Sequence, residues 1–149
     1  MGKLIVIEGT DGSGKSTQFR LMSEHLKNDN VAFKHLVFPR YSEESSALIR
    51  MYLSGQFGGK PTDVNAYAAS SFYAVDRYAS YKCFWEQDYA NGATIIAARY
   101  TTSNAIHQCC KLPEEQWDEY LDWLFHFEYE QIGIPAPDQV IYLQVDVEE

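Results

Sequence analysis

Apolar residues along this 149-residue chain fall into short unbroken runs and longer periodic stretches. Residues 3–8 (KLIVIE) form a run without alternation, which predicts a strand buried on both faces. A glycine-rich loop follows, and residues 15–28 place Phe19, Leu21, Met22 and Leu26 at near-helical spacing. Residues 31–38 (VAFKHLVF) predict a second strand closed by Pro39. Residues 43–53 predict a helix with Leu48, Met51, Tyr52 and Leu53 on one side, and GQFGGKPTD at 55–63 breaks the pattern. One long helix is expected over 64–90, rich in aromatics from Tyr67 to Tyr89, followed by a third strand at 93–97 (ATIIA). Pro113 and two glutamates open a helix over 113–131, in which Trp117, Tyr120, Leu121, Leu124 and Phe127 recur at three or four residues. Residues 138–145 (DQVIYLQV) predict a fourth strand. Strands alternating with helices imply an α/β fold with a parallel sheet flanked by helices on both faces. A covering helix is expected after the last strand, and none is written, so the chain reads as cut short.

Composition narrows the function classes. A hydrophobic fraction of 46% and an aromatic fraction of 15% suit one ordinary folded domain over 1–149. A net charge of -9 argues against binding a nucleic-acid backbone but permits a small phosphorylated ligand in a focused cleft. Three cysteines, Cys83, Cys109 and Cys110, make no disulfide framework and fit reduced thiols in a cytoplasmic protein. The start MGKLIVIEG is too short an apolar run for a signal peptide, and no stretch is long enough for a membrane span. His107, Cys109, Cys110 and Cys83 lack the spacing of a zinc site.

The sharpest chemistry lies at Gly9, Thr10, Asp11, Gly12, Ser13, Gly14, Lys15, Ser16 and Thr17, a G-x-x-x-x-G-K-S phosphate loop between a predicted strand and a predicted helix. Its glycines let backbone N–H groups turn toward phosphate oxygens, and the helix points its positive end at the anion. Lys15 is expected on the terminal phosphates of ATP and the Ser16 hydroxyl on magnesium.

Five blocks in order, IEGTDGSGKSTQ at 7–18, FPRY at 38–41, FYAVDR at 72–77, ARYTTSNAIHQ at 98–108 and PDQVIYLQV at 137–145, resemble thymidylate kinase over essentially the whole chain. The resemblance implies a P-loop NTPase fold of the nucleoside monophosphate kinase type, with three layers. It implies transfer of the γ-phosphoryl of ATP to dTMP, giving dTDP, with Mg2+, and a cytoplasmic homodimer packed through long helices, the 64–90 helix being the candidate face. It places the lid and its catalytic arginine past residue 149, so that 1–149 is a kinase domain lacking the lid and C-terminal helices.

Residue by residue, the resemblance puts Asp11 beside the deoxyribose 3′-OH and the phosphate–metal network. Arg40 serves the monophosphate and the transferred phosphate, with Phe38 and Tyr41 in the same dTMP site. Tyr73 stacks on thymine, and Arg77, four residues on, donates to a base carbonyl. Asp76 orients neighbouring groups. Arg99 binds the dTMP phosphate through its fork, Asn104 contacts the base, and His107 stands where some members hold a tyrosine against the sugar. Lys15, Asp11, Arg40 and Arg99 form the expected catalytic group.

The chain departs from the family pattern where the third strand usually ends in Asp-Arg-Tyr and here reads Ala98-Arg99-Tyr100. The alanine removes a carboxylate that organises magnesium. Gln144 replaces a frequent acid, and Cys109 and Cys110 stand where small residues are usual. Two alternatives follow: a nucleotide-binding remnant without turnover, or a kinase of this fold for another deoxynucleotide or deoxynucleoside.

Overall fold

The computed structural model describes residues 1–146. β1 (Lys3–Gly9) and β3 (Thr94–Ala98), the strands with the most deeply buried apolar residues, take the two inner places of a four-stranded sheet. The order is β2-β3-β1-β4, with β2 (Phe33–Val37) and β4 (Gln139–Leu143) at the edges, and every pairing is parallel. Leu4, Val6, Ile95, Ile96 and Ala97 are wholly buried, as inner strands of a covered sheet require. β4 alternates instead, leaving Val140 and Tyr142 exposed. The expected parallel sheet is therefore present, with all four strands where the apolar runs lie.

The chain resolves into two units. The first, Met1–Val37 with Trp85–Tyr100 and the described residues from Ala136 on, holds the whole sheet, α1 (Lys15–Asn28) and α4 (Glu86–Ala90). Phe19, Met22 and Leu26 make the half-buried stripe of α1, whereas Leu21 falls off it and is exposed. Asp138 holds the start of β4 to β1 through both backbone groups of Leu4: its carboxylate accepts the Leu4 N–H at 2.8 Å, and its own N–H donates to the Leu4 carbonyl at 2.9 Å. Val31 is drawn off the predicted second strand because its N–H donates to the Leu26 carbonyl at 2.9 Å, so β2 starts at Phe33.

The second unit, Phe38–Phe84 and Thr101–Pro135, is helical. It contains α2 (Ala47–Leu53), α3 (Ala66–Ser80), α5 (Thr101–Cys109) and α6 (Trp117–Phe125). Asn65 caps α3 by accepting the Ala68 N–H at 2.9 Å. Ala66, Cys109, Tyr120 and Leu124 form its core, with Tyr67, Leu112 and Trp123 packed around them. The Tyr120 hydroxyl lies 2.6 Å from Ser70 Oγ and 3.2 Å from the Asn104 carbonyl, so this core carries a satisfied polar group. Burial pushes the Tyr120 phenol well above the usual tyrosine range and that of Tyr129, which hydrogen-bonds Thr101, up to about 12.

Three expected helices are segmented. The helix over 43–53 opens with a 3₁₀ turn at Glu44–Ser46, and that over 113–131 divides into a 3₁₀ turn, α6 and a π segment at His126–Ile132. The expected 64–90 helix is α3, a π turn at Tyr81–Trp85 and α4. α5 was not anticipated, because Thr101, Thr102, Ser103 and Asn104 compete locally for backbone hydrogen bonds and give no apolar period. Tertiary contacts hold it: Thr101 and Asn104 are both buried and hydrogen-bonded.

Leu124→Ala should cost about 2–5 kcal/mol, read as a lower urea midpoint at unchanged slope. Stability should also fall as pH rises above about 10. The unfolded state loses the tyrosine protons there, whereas folded Tyr129 keeps its own up to about 12. Urea titrations at pH 8 and pH 11 should show the loss, and Tyr129→Phe should reduce it.

Candidate functional site

In the sheet unit, β1 runs straight into the phosphate loop. A side chain at Gly9 would place its Cβ 2.7 Å from Ser13 Oγ and 2.9 Å from the Leu143 carbonyl, so the close approach there demands glycine. Ser13 N–H turns back onto the Thr10 carbonyl at 3.1 Å. Gly14, at φ 91 and ψ 14, is the left-handed residue from which α1 starts. No side chain caps that helix end and no acid occupies its first turn, which leaves its N–H groups to an anion. Lys15 Nζ donates to the Gly9 carbonyl, so its ammonium is folded over the loop it is expected to serve. Ser16 and Thr17 are exposed at the same helix end.

β3 delivers Arg99 to this loop. The Arg99 N–H donates to the Ile7 carbonyl at 3.0 Å, continuing the ladder in which Ile7 pairs with Ala98. Its backbone then turns to φ 66, a left-handed conformation that costs a non-glycine residue about 1 kcal/mol or more. The turn sends its guanidinium to Asp11, with Nη2 3.1 Å from Oδ1. Asp11 is almost fully exposed, and the pair is therefore a weak one that an arriving phosphate can replace. Asp11, Lys15 and Arg99, three of the four residues expected to be catalytic, thus share one unit and meet at the phosphate loop.

The helical unit holds the others. Phe38 is buried and joined to Pro39 by a cis peptide bond. The Arg40 guanidinium lies 5.1 Å over the Phe84 ring, with Nη2 3.4 Å from Glu43 Oε1, while Tyr41 is exposed. Tyr73 is half-buried on α3. One turn further on, Arg77 is buried and meets Glu128 as a fork, Nε to Oε1 at 2.6 Å and Nη2 to Oε2 at 2.9 Å. Asn104 is also buried, and its Nδ2 donates to the Ser70 carbonyl at 3.1 Å, which fixes the direction of its amide. His107 is exposed on α5.

Glu128 was not anticipated as part of this arrangement. Its signal was present: it stands four residues after Leu124 and eight after Tyr120, a charge on the buried stripe of its helix. A carboxylate there needs a buried cation as partner. Glu8, next to the phosphate loop, is a second buried acid that periodicity did not single out. One of its oxygens accepts the Gly9 N–H at 3.2 Å.

Comparison with known proteins places these residues in context. The family model described as thymidylate kinase matches residues 7–149. The thymidylate kinase of Mycobacterium tuberculosis is 31% identical over 147 residues, covering 97% of this chain and 67% of that protein. The human thymidylate kinase is 31% identical over 146 residues, covering 98% of this chain and 62% of its own length. Among solved structures, thymidylate kinase from Candida albicans superposes with a TM-score of 0.69 at 28% identity, over 98% of this chain and 64% of that one. The chain thus spans roughly two thirds of the length of these relatives.

Removing one partner of the Arg77–Glu128 pair should cost about 3–5 kcal/mol, since the other charge is left buried and alone. The double change Arg77→Met with Glu128→Leu should cost less than the two single changes summed, measured by chemical unfolding of all three variants.

Proposed function

The chain belongs to the thymidylate kinase family, and from this we propose that it transfers the γ-phosphoryl of ATP to dTMP to give dTDP. The observation that carries the proposal is the left-handed Arg99 held against Asp11 beside an uncapped helix end. Backbone strain of this kind clusters at sites where a ligand repays it. An arginine whose present partner is exposed is poised to exchange that carboxylate for a phosphate.

The residues divide by task. Gly9 to Thr17 cradle the triphosphate of ATP, with Lys15 on its terminal phosphates. Arg99 and Arg40 neutralise the dTMP phosphate, and Asp11 takes the sugar hydroxyl. Tyr73 offers its ring face to thymine, while Arg77 and Asn104 present donors whose directions Glu128 and the Ser70 carbonyl fix. Phe38, Tyr41 and His107 complete the dTMP contacts. Phosphoryl transfer asks a protein mainly for positioning and charge neutralisation, and these side chains supply both.

Among the described residues no group of three or more His, Cys, Asp or Glu is placed to hold a metal. The donors instead suit magnesium that brings nucleotide phosphates and water as ligands, with the exposed Ser16 hydroxyl adding one more. Bound there, Mg2+ supplies charge neutralisation across the phosphates.

Ala98 supports a second reading, binding with weakened turnover, because a methyl group ends β3 where a carboxylate would organise the metal. The exposed apolar side chains of α2 and α3, Leu48, Leu53, Val75 and Tyr78, support a homodimer. The free thiols support a cytoplasmic setting.

Incubation with Mg-ATP and dTMP should yield dTDP by chromatography, and Lys15→Ala should lower the rate at least about a hundredfold without changing the circular dichroism spectrum. Ala98→Asp should raise the rate at least about tenfold. Absence of dTDP with the parent and with Ala98→Asp alike, despite bound dTMP, would favour a binding protein over a kinase.

A further inference from the structure

Asp76 stands in the second half of α3 and is 1% exposed. A carboxylate so far from water is costly unless its oxygens find donors. Both donors come from one loop: Oδ2 accepts the backbone N–H of Arg40 at 2.9 Å, and Oδ1 accepts the Ser45 hydroxyl at 2.6 Å. Neither contact supports α3 itself, where aspartate is a poor helix former. What the contacts fix is the segment from Arg40 to Ser45. Within it, the Glu43 N–H closes a turn on the Arg40 carbonyl at 2.9 Å. The Arg40 side chain, 20% exposed, is bracketed by Glu43 and by the Phe84 ring. Arg40 is therefore tied at its backbone from α3 and at its head from two sides.

We infer that Asp76 is a positioning residue for the acceptor phosphate, acting by holding the Arg40 backbone. The inference rests on the assignment of Arg40 to the dTMP phosphate made above. An arginine fork recognises phosphate through direction as well as charge. A loop that must first be ordered loses affinity to that ordering. Asp76 removes the cost from the binding step by ordering the loop beforehand, and it does so without touching the ligand.

Calorimetric titration of the whole chain with dTMP and with thymidine tests this. Asp76→Ala should weaken dTMP about tenfold and leave thymidine within about twofold. Asp76→Asn should recover most of the loss, because its amide oxygen still accepts the Arg40 N–H and its amide nitrogen meets the Ser45 oxygen. Added to Arg40→Ala, Asp76→Ala should cost less than about twofold more, since one effect runs through the other. A folded Asp76→Ala that binds dTMP normally, loses thymidine equally, or adds fully to Arg40→Ala overturns the inference. If Asp76→Ala does not fold, Ser45→Ala replaces it and should weaken dTMP about threefold with thymidine unchanged; unchanged dTMP affinity overturns the inference there. Normal dTMP binding by Arg40→Ala would overturn the assignment of Arg40 itself, a separate failure.

Discussion

The pairing of Ile7 with Ala98 sets the chemistry of the sheet unit. β1 continues into the phosphate loop and β3 into Arg99, so the register between them decides whether loop and arginine meet. The strand order reverses between these two strands, since β1 connects outward to β2 and β3 crosses to β4. In open parallel sheets the ligand lies beyond the carboxyl ends of the strands at such a reversal. Slipping the pairing by one residue would turn Arg99 to the opposite face. The left-handed backbone at Arg99 completes the placement by bending the side chain back toward Asp11, 3.1 Å away.

A different constraint governs the helical unit: adjacent buried charges must each find a partner. Asp76 and Arg77 follow one another on α3, with 1% and 2% exposure, and they satisfy themselves in different directions. Asp76 takes two donors from the Arg40–Ser45 segment, while Arg77 takes the Glu128 carboxylate. A hydrophobic pair in place of Arg77 and Glu128 would pack as well. Keeping the charges gives the unit a buried cation of fixed direction, and the Asn104 amide is fixed in direction as well.

Much of this is legible in the amino-acid sequence. Short apolar runs marked all four strands, most sharply the inner β1 and β3, which are covered on both faces, and the G-x-x-x-x-G-K-S pattern marked the loop because its geometry demands glycine. The five sequence blocks carried the family. Three things were hidden, for physical reasons. α5 has no apolar period, and its Thr101 and Asn104 are held by contacts distant in sequence. The π segments interrupt helices whose apolar spacing runs on through them. The Arg77–Glu128 pair joins residues 51 positions apart, and local pattern reports only that Glu128 is a charge on an apolar stripe.

Ala98 ends β3 without a carboxylate, and under the proposed assignment that bears on metal and not on the nucleotide phosphates. The loop, Lys15, Asp11 and Arg99 are assembled without the missing carboxylate, so phosphate recognition should be intact whatever the rate of transfer. The most direct test is the affinity gained from the 5′-phosphate, measured as the ratio of thymidine to dTMP dissociation constants before and after Arg99→Ala. If the register of β1 and β3 builds a phosphate site, dTMP should bind at least about tenfold tighter than thymidine, and Arg99→Ala should remove most of that gain while leaving thymidine unchanged. Equal affinities in the parent chain, or a gain untouched by Arg99→Ala, would contradict it.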